Sequence, residues 1–356
     1  MPTSRICYVD AASTGGDGTT AATSGANAAY ATLHAALVAE YAANPNLVTA
    51  DILLTIECQG STADTGAFVD TTTCPFTTDS TRYVIIETPL AQRGATPWIW
   101  STSRYRWTTS TSTALWGARN FKVVLRGLQL ETTRNATDAK LFNVSPNSSG
   151  TNVTIEECLW RFSGAANAGT MLQTAGSSQM TIFVRNNIFL GTTPTTTGTG
   201  WVSGNTHAST ATYLDSNTWV GFKGTAISGS ASNTVTARNN LVDATTCFSG
   251  TITQSYNAST DATASGTGSR TSQTFTYSNA GAGDYRLGSG DTGAKGYGTD
   301  LRLDANDPFS TDYVQAARGA TWDIGASQLT ASGSLAWFSI DSLMRGMERG
   351  MAIGTR

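Results

Sequence analysis

Hydrolysis of a glycosidic bond needs two carboxyl groups flanking the bond, one acting as acid and the other as base or nucleophile. Asp138, Glu156, Glu157, Asp215 and Asp243 offer such groups at comparable points of a recurring pattern. Glu156 and Asp215 share a column with Arg126, Arg185 and Arg238, whose charge alternates in sign from one copy to the next. Opposite charges one strand apart, about 4.8 Å, form a modestly stabilising surface ladder. We favour that reading over a catalytic cluster. A lyase would need an Arg or Lys base beside an acidic calcium site. The nearest acidic run, Asp300-Leu301-Arg302-Leu303-Asp304-Ala305-Asn306-Asp307, reads as a structural turn that could also coordinate an ion. His34 falls in a helical segment and His207 in a loop, and spacing ties neither to a nucleophile or carboxylate. Aromatic faces beside arginine can hold sugar rings, which makes Trp98, Trp100, Arg104, Arg106 and Trp107 candidate glycan contacts. The same run would serve equally to plug an end of the fold or line a subunit interface. No residue is assigned a catalytic, cofactor-binding or metal-ligating role, and no cofactor is expected.

The elements that would position these residues recur along the chain. Val123–Leu128, Val153–Trp160, Ile182–Phe189, Tyr213–Trp219 and Val235–Leu241 each read as an apolar strand, a tight corner and a second apolar pair. Aligned at Gly127, Cys158, Asn187, Asn217 and Asn240, they are spaced by 31, 29, 30 and 23 residues. A period in that range belongs to a stacked solenoid, whose units bury their apolar faces only against neighbours. About ten residues before each corner strand lies another, as in Leu141–Val144, Met171–Gln173, Trp201–Ser203, Ala226–Ser228 and Cys247–Ser249. No amphipathic helix separates the strands, so parallel pairing through βαβ crossovers is excluded and a chain coiled around its own side chains is expected. Asn tolerates left-handed backbone angles and can bond the Asn one repeat away. Asn187, Asn217 and Asn240 should therefore form a ladder, continued by Asn257 and ended near Cys158 and Gly127. Asp51–Glu57 and Tyr83–Glu87 read as the first strands. The Ala/Leu-rich stretch Ala28–Val38, with Tyr30, Leu33 and Leu37 on one face, reads as a capping helix.

The opening Tyr8-Val9-Asp10-Ala11-Ala12-Ser13-Thr14-Gly15-Gly16-Asp17-Gly18-Thr19, the segment Tyr30–Leu37 and the closing Trp322-Asp323-Ile324-Gly325-Ala326 are similar to segments of the pectate-lyase-like family. The resemblance covers roughly residues 6–328. It implies an all-β fold: a right-handed parallel β-helix solenoid with an N-terminal capping helix and a C-terminal tail. Residues 1–50 would form the first strand and cap, 51–329 the β-helix and 330–356 a docking tail. That family spans lyases, hydrolases, epimerases, adhesins and virus spikes, so it implies no single activity.

Charged residues make up only 13% of the 356 and the net charge is −3, so no basic face argues for nucleic acid. No apolar run is long enough to span a membrane. Five widely spaced cysteines suggest buried thiols rather than a disulfide framework. The start Met1-Pro2-Thr3-Ser4-Arg5 lacks the apolar stretch of a secretory signal, and folding in a cytoplasm is expected. In the tail, Met344, Met347 and Met351 combine with Trp337, Phe338 and Leu343 into an apolar helical stripe suited to a partner's groove. Together these features favour a non-catalytic structural protein of a tailed-phage virion: capsid decoration, tail fibre or spike. It would be made in the host cytoplasm and displayed on the virion surface. A homo-oligomer is expected, trimer favoured, contacting other virion proteins through the tail and conceivably a surface glycan. The alternative is an extracellular polysaccharide lyase or glycoside hydrolase working along the groove beside the sheet.

Overall fold

Strands that alternate inward apolar and outward polar residues, joined by Gly, Ser, Thr and Asn turns, can pair with their own copies. The computed structural model describes residues 1–66, 69–70, 74–110, 116–118, 121–133, 140–145, 150–163, 169–191 and 198–329. Asp138 and the tail residues Trp337, Phe338, Leu343, Met344, Met347 and Met351 lie outside them. One sheet runs in spatial order through Thr3–Asp10, Ile52–Gln59, Val84–Glu87, Val123–Arg126, Thr151–Glu156, Met180–Arg185, Ala211–Asp215, Thr234–Arg238 and Thr253–Ser255. Spatial order follows sequence order, so each strand pairs in parallel with the copy before it and the copy after.

The second sheet contains two further stacks. One climbs through Arg106–Thr109, Gln129–Thr132, Leu159–Phe162 and Ile188–Leu190, the other through Lys140–Val144, Thr170–Thr174 and Thr199–Ser203. The long strands Thr218–Ser228 and Leu241–Ser249 pair along most of their length and join the two stacks. The fold is thus mostly β with long parallel sheets, and the chain visits three stacks in turn. Inward residues at equivalent positions meet between repeats. Trp160, Phe189 and Trp219 stack with ring centroids 5.3 and 3.8 Å apart and planes within 21° and 3°. Each such ring buries about 150–250 Å², which is why this column forms part of the core. All five cysteines are buried free thiols.

At the N-terminal end the helix spans Leu33–Ala43, later than the expected Ala28–Val38. The reason is local hydrogen bonding. Tyr30 makes a parallel bridge to Val9 and its N–H donates to Tyr8, so the chain is still extended there. Thr32 then caps the helix, its hydroxyl accepting from Ala35 N at 3.1 Å, and Asp64 Oδ2 accepts from Leu33 N at 2.8 Å. Glu40, 1% exposed, receives both Nε and Nη2 of Arg5 and ties the helix to the first strand.

The corner after each strand of the first sheet holds the repeats in register. Its left-handed residues are Gly127, Glu157, Asn186, Ser216, Asn239 and Tyr256, with φ between 52° and 68°. The ladder Asn is the next residue, not the left-handed one. Glu156 pairs with Arg126, so Gly127 is the partner of Glu157 and the expected alignment with Cys158 was one residue out. Asn217 Oδ1 accepts from Asn187 N and Asn187 Nδ2, each at 3.0 Å, while Asn217 Nδ2 donates to Val184 O at 2.8 Å and Asn240 Oδ1 at 3.1 Å. Asn240 repeats the pattern with Asn257, and the ladder ends where Asn187 Oδ1 accepts from Cys158 N at 2.9 Å. Asn217→Ala would strip partners from several buried groups at once, each loss costing about 1–3 kcal/mol. We expect a loss of about 3 kcal/mol or more in urea unfolding. A cost below about 1 kcal/mol would mean that the ladder does not hold the register.

Candidate functional site

The alternating charge column forms as the sequence suggests, but its carboxylates are buried while its arginines stay partly exposed. Arg126 Nε donates to Glu156 Oε1 at 2.6 Å, and Arg185 Nε to Glu156 Oε2 at 2.8 Å. Arg238 grips Asp215 through Nε and Nη2, at 2.9 and 2.7 Å. Glu156 is 6% exposed and Asp215 fully buried, because residues 297–326 return along the corners as a strap. The turn at Asp300–Asp307 supplies Asp304 to Arg238 and Asp307 to Arg185. Thr299 N donates to Asn239 Oδ1 at 2.8 Å, Asn186 Nδ2 to Thr311 O at 2.9 Å, and Gly325 N to Asn239 O at 2.7 Å. Arg318 knots the strap: its buried guanidinium donates to Asn186 Oδ1 and to the carbonyls of Thr311, Asp323, Gly325 and Ala326. Burial pushes Arg318 down to about 10.

Glu157 occupies a left-handed corner, with φ of 59°, that disfavours a β-carbon. Its carboxylate accepts from Arg93 Nη1 at 2.8 Å and from Gln315 Nε2 at 3.0 Å. Arg93 explains the glycine one repeat earlier. A β-carbon at Gly127 would come within 2.1 Å of Arg93 Nε, so only glycine lets the guanidinium lie there. Burial raises Glu157 despite Arg93, whereas Arg185 and Arg126 overcome burial at Glu156 and lower it.

The other sequence candidates scatter. Asp243 accepts from Tyr277 OH at 3.0 Å. Trp107 is 1% exposed in the core, so the expectation that it touches a glycan fails on burial. Arg104 is 7% exposed and donates to the carbonyls of Arg93 and Ile99, which places it too in the framework. Arg106 is partly exposed and bonds the carbonyls of Ser61 and Thr102. Trp98 and Trp100 are half-buried, with the guanidiniums of Arg286 and Arg161 over their rings at 3.5 and 4.1 Å. Those covered faces are closed to a sugar. His34 lies on the capping helix, and His207 Nδ1 accepts from Ser209 N at 3.2 Å. Among the described residues no group of three or more His, Cys, Asp or Glu side chains is placed to hold a metal ion.

The site therefore brings Glu156, Glu157 and Asp215 together with arginines under a cover, and the aromatic run adjoins it, Trp98 and Trp100 packing with Leu159, Tyr313 and Ala326 and Arg104 bonding Arg93 O. Sequence reasoning missed the strap, Arg93, Gln315 and Arg318. Their contacts cross separations such as the 216 residues between Tyr313 and Pro97, and no period marks them. No protein-family model matches the chain, and neither does any curated protein or solved structure.

The buried carboxyls give stability an opposed pH dependence. Burial pushes Asp215 up to about 7 against the pull of Arg238. The native state keeps a proton there that the unfolded chain loses near 3.8, so this group's contribution falls as pH rises through about 7. Asp304 shifts the other way, to about 2, chiefly through Arg238. Its contribution is full above 3.8 and is lost as pH falls through about 2. Calorimetry across this range should find the highest melting temperature near about pH 4, lower values on both sides, and a flatter decline between about pH 4 and pH 7 in Asp215→Asn. A wild type that melts higher at about pH 8 than at about pH 5 would contradict this assignment.

Proposed function

We propose that the three parallel stacks wind as a right-handed parallel β-helix of the pectate-lyase-like kind, and that the chain is a non-catalytic structural protein of a tailed-phage virion. Residues 1–50 cap the helix, 51–329 form it and 330–356 dock it. The observation that carries the non-catalytic reading is the fate of the acidic candidates. Glu156, Glu157 and Asp215 are each held by an arginine beside the strap and are at most 6% exposed, which leaves no open pair of carboxylates to flank a glycosidic bond. A hydrolase working along this corner would need them open and one of them free to donate a proton.

Placement on a virion surface, as head decoration or as fibre or spike, rests on the family resemblance and on the Met-rich amphipathic tail. Such a tail fits a groove on a neighbouring virion protein, and a solenoid with a nearly neutral surface suits an exposed rod or cover. A homotrimer is the favoured assembly. Immunogold electron microscopy of particles, with antibodies against residues 1–329, is expected to label heads or tail tips. A chain lacking 330–356 should melt within a few degrees of the intact one yet fail to join particles. Particles bare of label, together with cleavage of any glycan by the purified protein, would return the enzyme reading to first place.

A further inference from the structure

The outward face of the first sheet carries a feature that neither the ladder nor the strap explains. Register places Thr154, Phe183, Tyr213 and Thr236 in one column on successive strands. Alternation turns them outward, since Ile155, Val184, Leu214 and Ala237 beside them are buried. The rings of Phe183 and Tyr213 lie face to face, centroids 5.3 Å apart and planes within 13°, and both remain partly exposed. The pair thus stands as a rib across the strands. One outer ring face looks over Thr154 and the other over Thr236, and each threonine forms a low step beside an aromatic wall. No hydrogen bond joins the side-chain hydroxyls of Thr154, Tyr213 or Thr236 to another described residue. The flanking column, Asn152, Thr181, Ala211 and Thr234, is small and uncharged.

We propose that this rib and its two steps form a binding surface for neutral pyranose sugars. A pyranose offers an apolar C–H face to an aromatic ring and hydroxyls at its rim, and each step provides one ring face with free hydroxyls beside it. Charge selects against anionic ligands, the carboxyls beside the rib outnumbering the arginines. Arg185 and Arg238, on the column next to the rib, are already matched by Glu156 and Asp307 and by Asp215 and Asp304. An extended peptide strand would need an open sheet edge, whereas this surface is a face whose strands are paired on both sides. The two steps lie three strand spacings apart, about 14 Å, so one oligosaccharide draped over the rib can meet both. This differs from the glycan contacts expected around Trp98 and Trp107, and it holds wherever the protein is mounted.

The test is titration of the full chain with maltohexaose, mannohexaose and cellohexaose by calorimetry, with polygalacturonate as the charged comparison. At least one neutral hexasaccharide is expected to bind. Tyr213→Leu keeps apolar bulk but removes the ring face, and should weaken binding about tenfold, equal to 1.4 kcal/mol. Tyr213→Phe keeps the face and should bind within a few-fold of wild type. Melting temperatures of both variants show whether the sheet is intact. Binding of none of the three neutral sugars, binding of polygalacturonate alone, or undiminished binding in a folded Phe183→Leu/Tyr213→Leu double variant would each overturn the proposal. None of these results bears on particle labelling, so the two readings fail separately.

Discussion

Everything in this fold depends on turning the same corner repeatedly without stranding a backbone group. A parallel strand that ends must redirect its chain within two residues, and the N–H and C=O groups freed there are buried against the next repeat. One left-handed residue makes the turn, and the following Asn satisfies what the turn leaves open. Its Oδ1 serves the N–H of one neighbouring repeat, and its Nδ2 reaches a strand carbonyl of that same repeat, as Asn217 does to Asn187 and Val184. Because a buried unmade hydrogen bond costs more than a made one returns, a slip by one residue would strand every rung together. Register is therefore set cooperatively at the corner. The inward stack of Trp160, Phe189 and Trp219 follows from it, since those rings meet only if their strands are in step.

A stack of this kind has contacts only between neighbours, and such arrays can fray from either end. The strap changes that connectivity. Between Thr299 and Ala326 it bonds the corners at Asn239, Asn186 and Glu157 and the strand start at Thr218, while Tyr313 reaches Pro97. These repeats would otherwise communicate only through those between them. The strap is fastened by Arg318, which among the described residues bonds no carboxylate and is satisfied by carbonyls and one amide. A buried charge without adequate partners is strongly destabilising, so this guanidinium has one acceptable position, and the strap with it.

The parts legible in the sequence are those governed by short-range repetition. The corner period, the rungs Asn187, Asn217 and Asn240 with Asn257 as continuation, the ladder's end near Cys158 and the alternating charge column all follow from residues recurring at fixed spacing. The one-residue error at Gly127 has a specific origin. That repeat uses glycine at the left-handed position and Leu128 at the ladder position, so matching glycine to the Asn column imports a residue from the neighbouring column. The helix was misplaced because Ala28–Tyr30 has helical composition but backbone bonds committed to the first strand. Burial of the column's carboxylates was not legible at all. Nothing local distinguishes a carboxylate that faces solvent from one covered by a segment over a hundred residues later.

That last distinction bears most on function. Glu156 and Asp215 are buried carboxyls on alternate strands of one column, and Asp215 even has its pKa raised into the range useful to an acid. Yet a perturbed pKa in a largely buried ion-pair network is the ordinary consequence of desolvation, and it marks an active site only when a substrate can reach it. Here Glu156 is held by two guanidiniums, those of Arg126 and Arg185, and both oxygens of Asp215 by the one of Arg238. Opening the network would leave the buried carboxylate of Glu156 without either of its arginines. The outer face of the first sheet presents the opposite balance: no charge on the rib itself, and hydroxyls and outer aromatic faces that no other described residue engages. If this protein recognises anything along its length, the physical chemistry favours weak, reversible contact with a neutral surface on that face over bond cleavage at the corner.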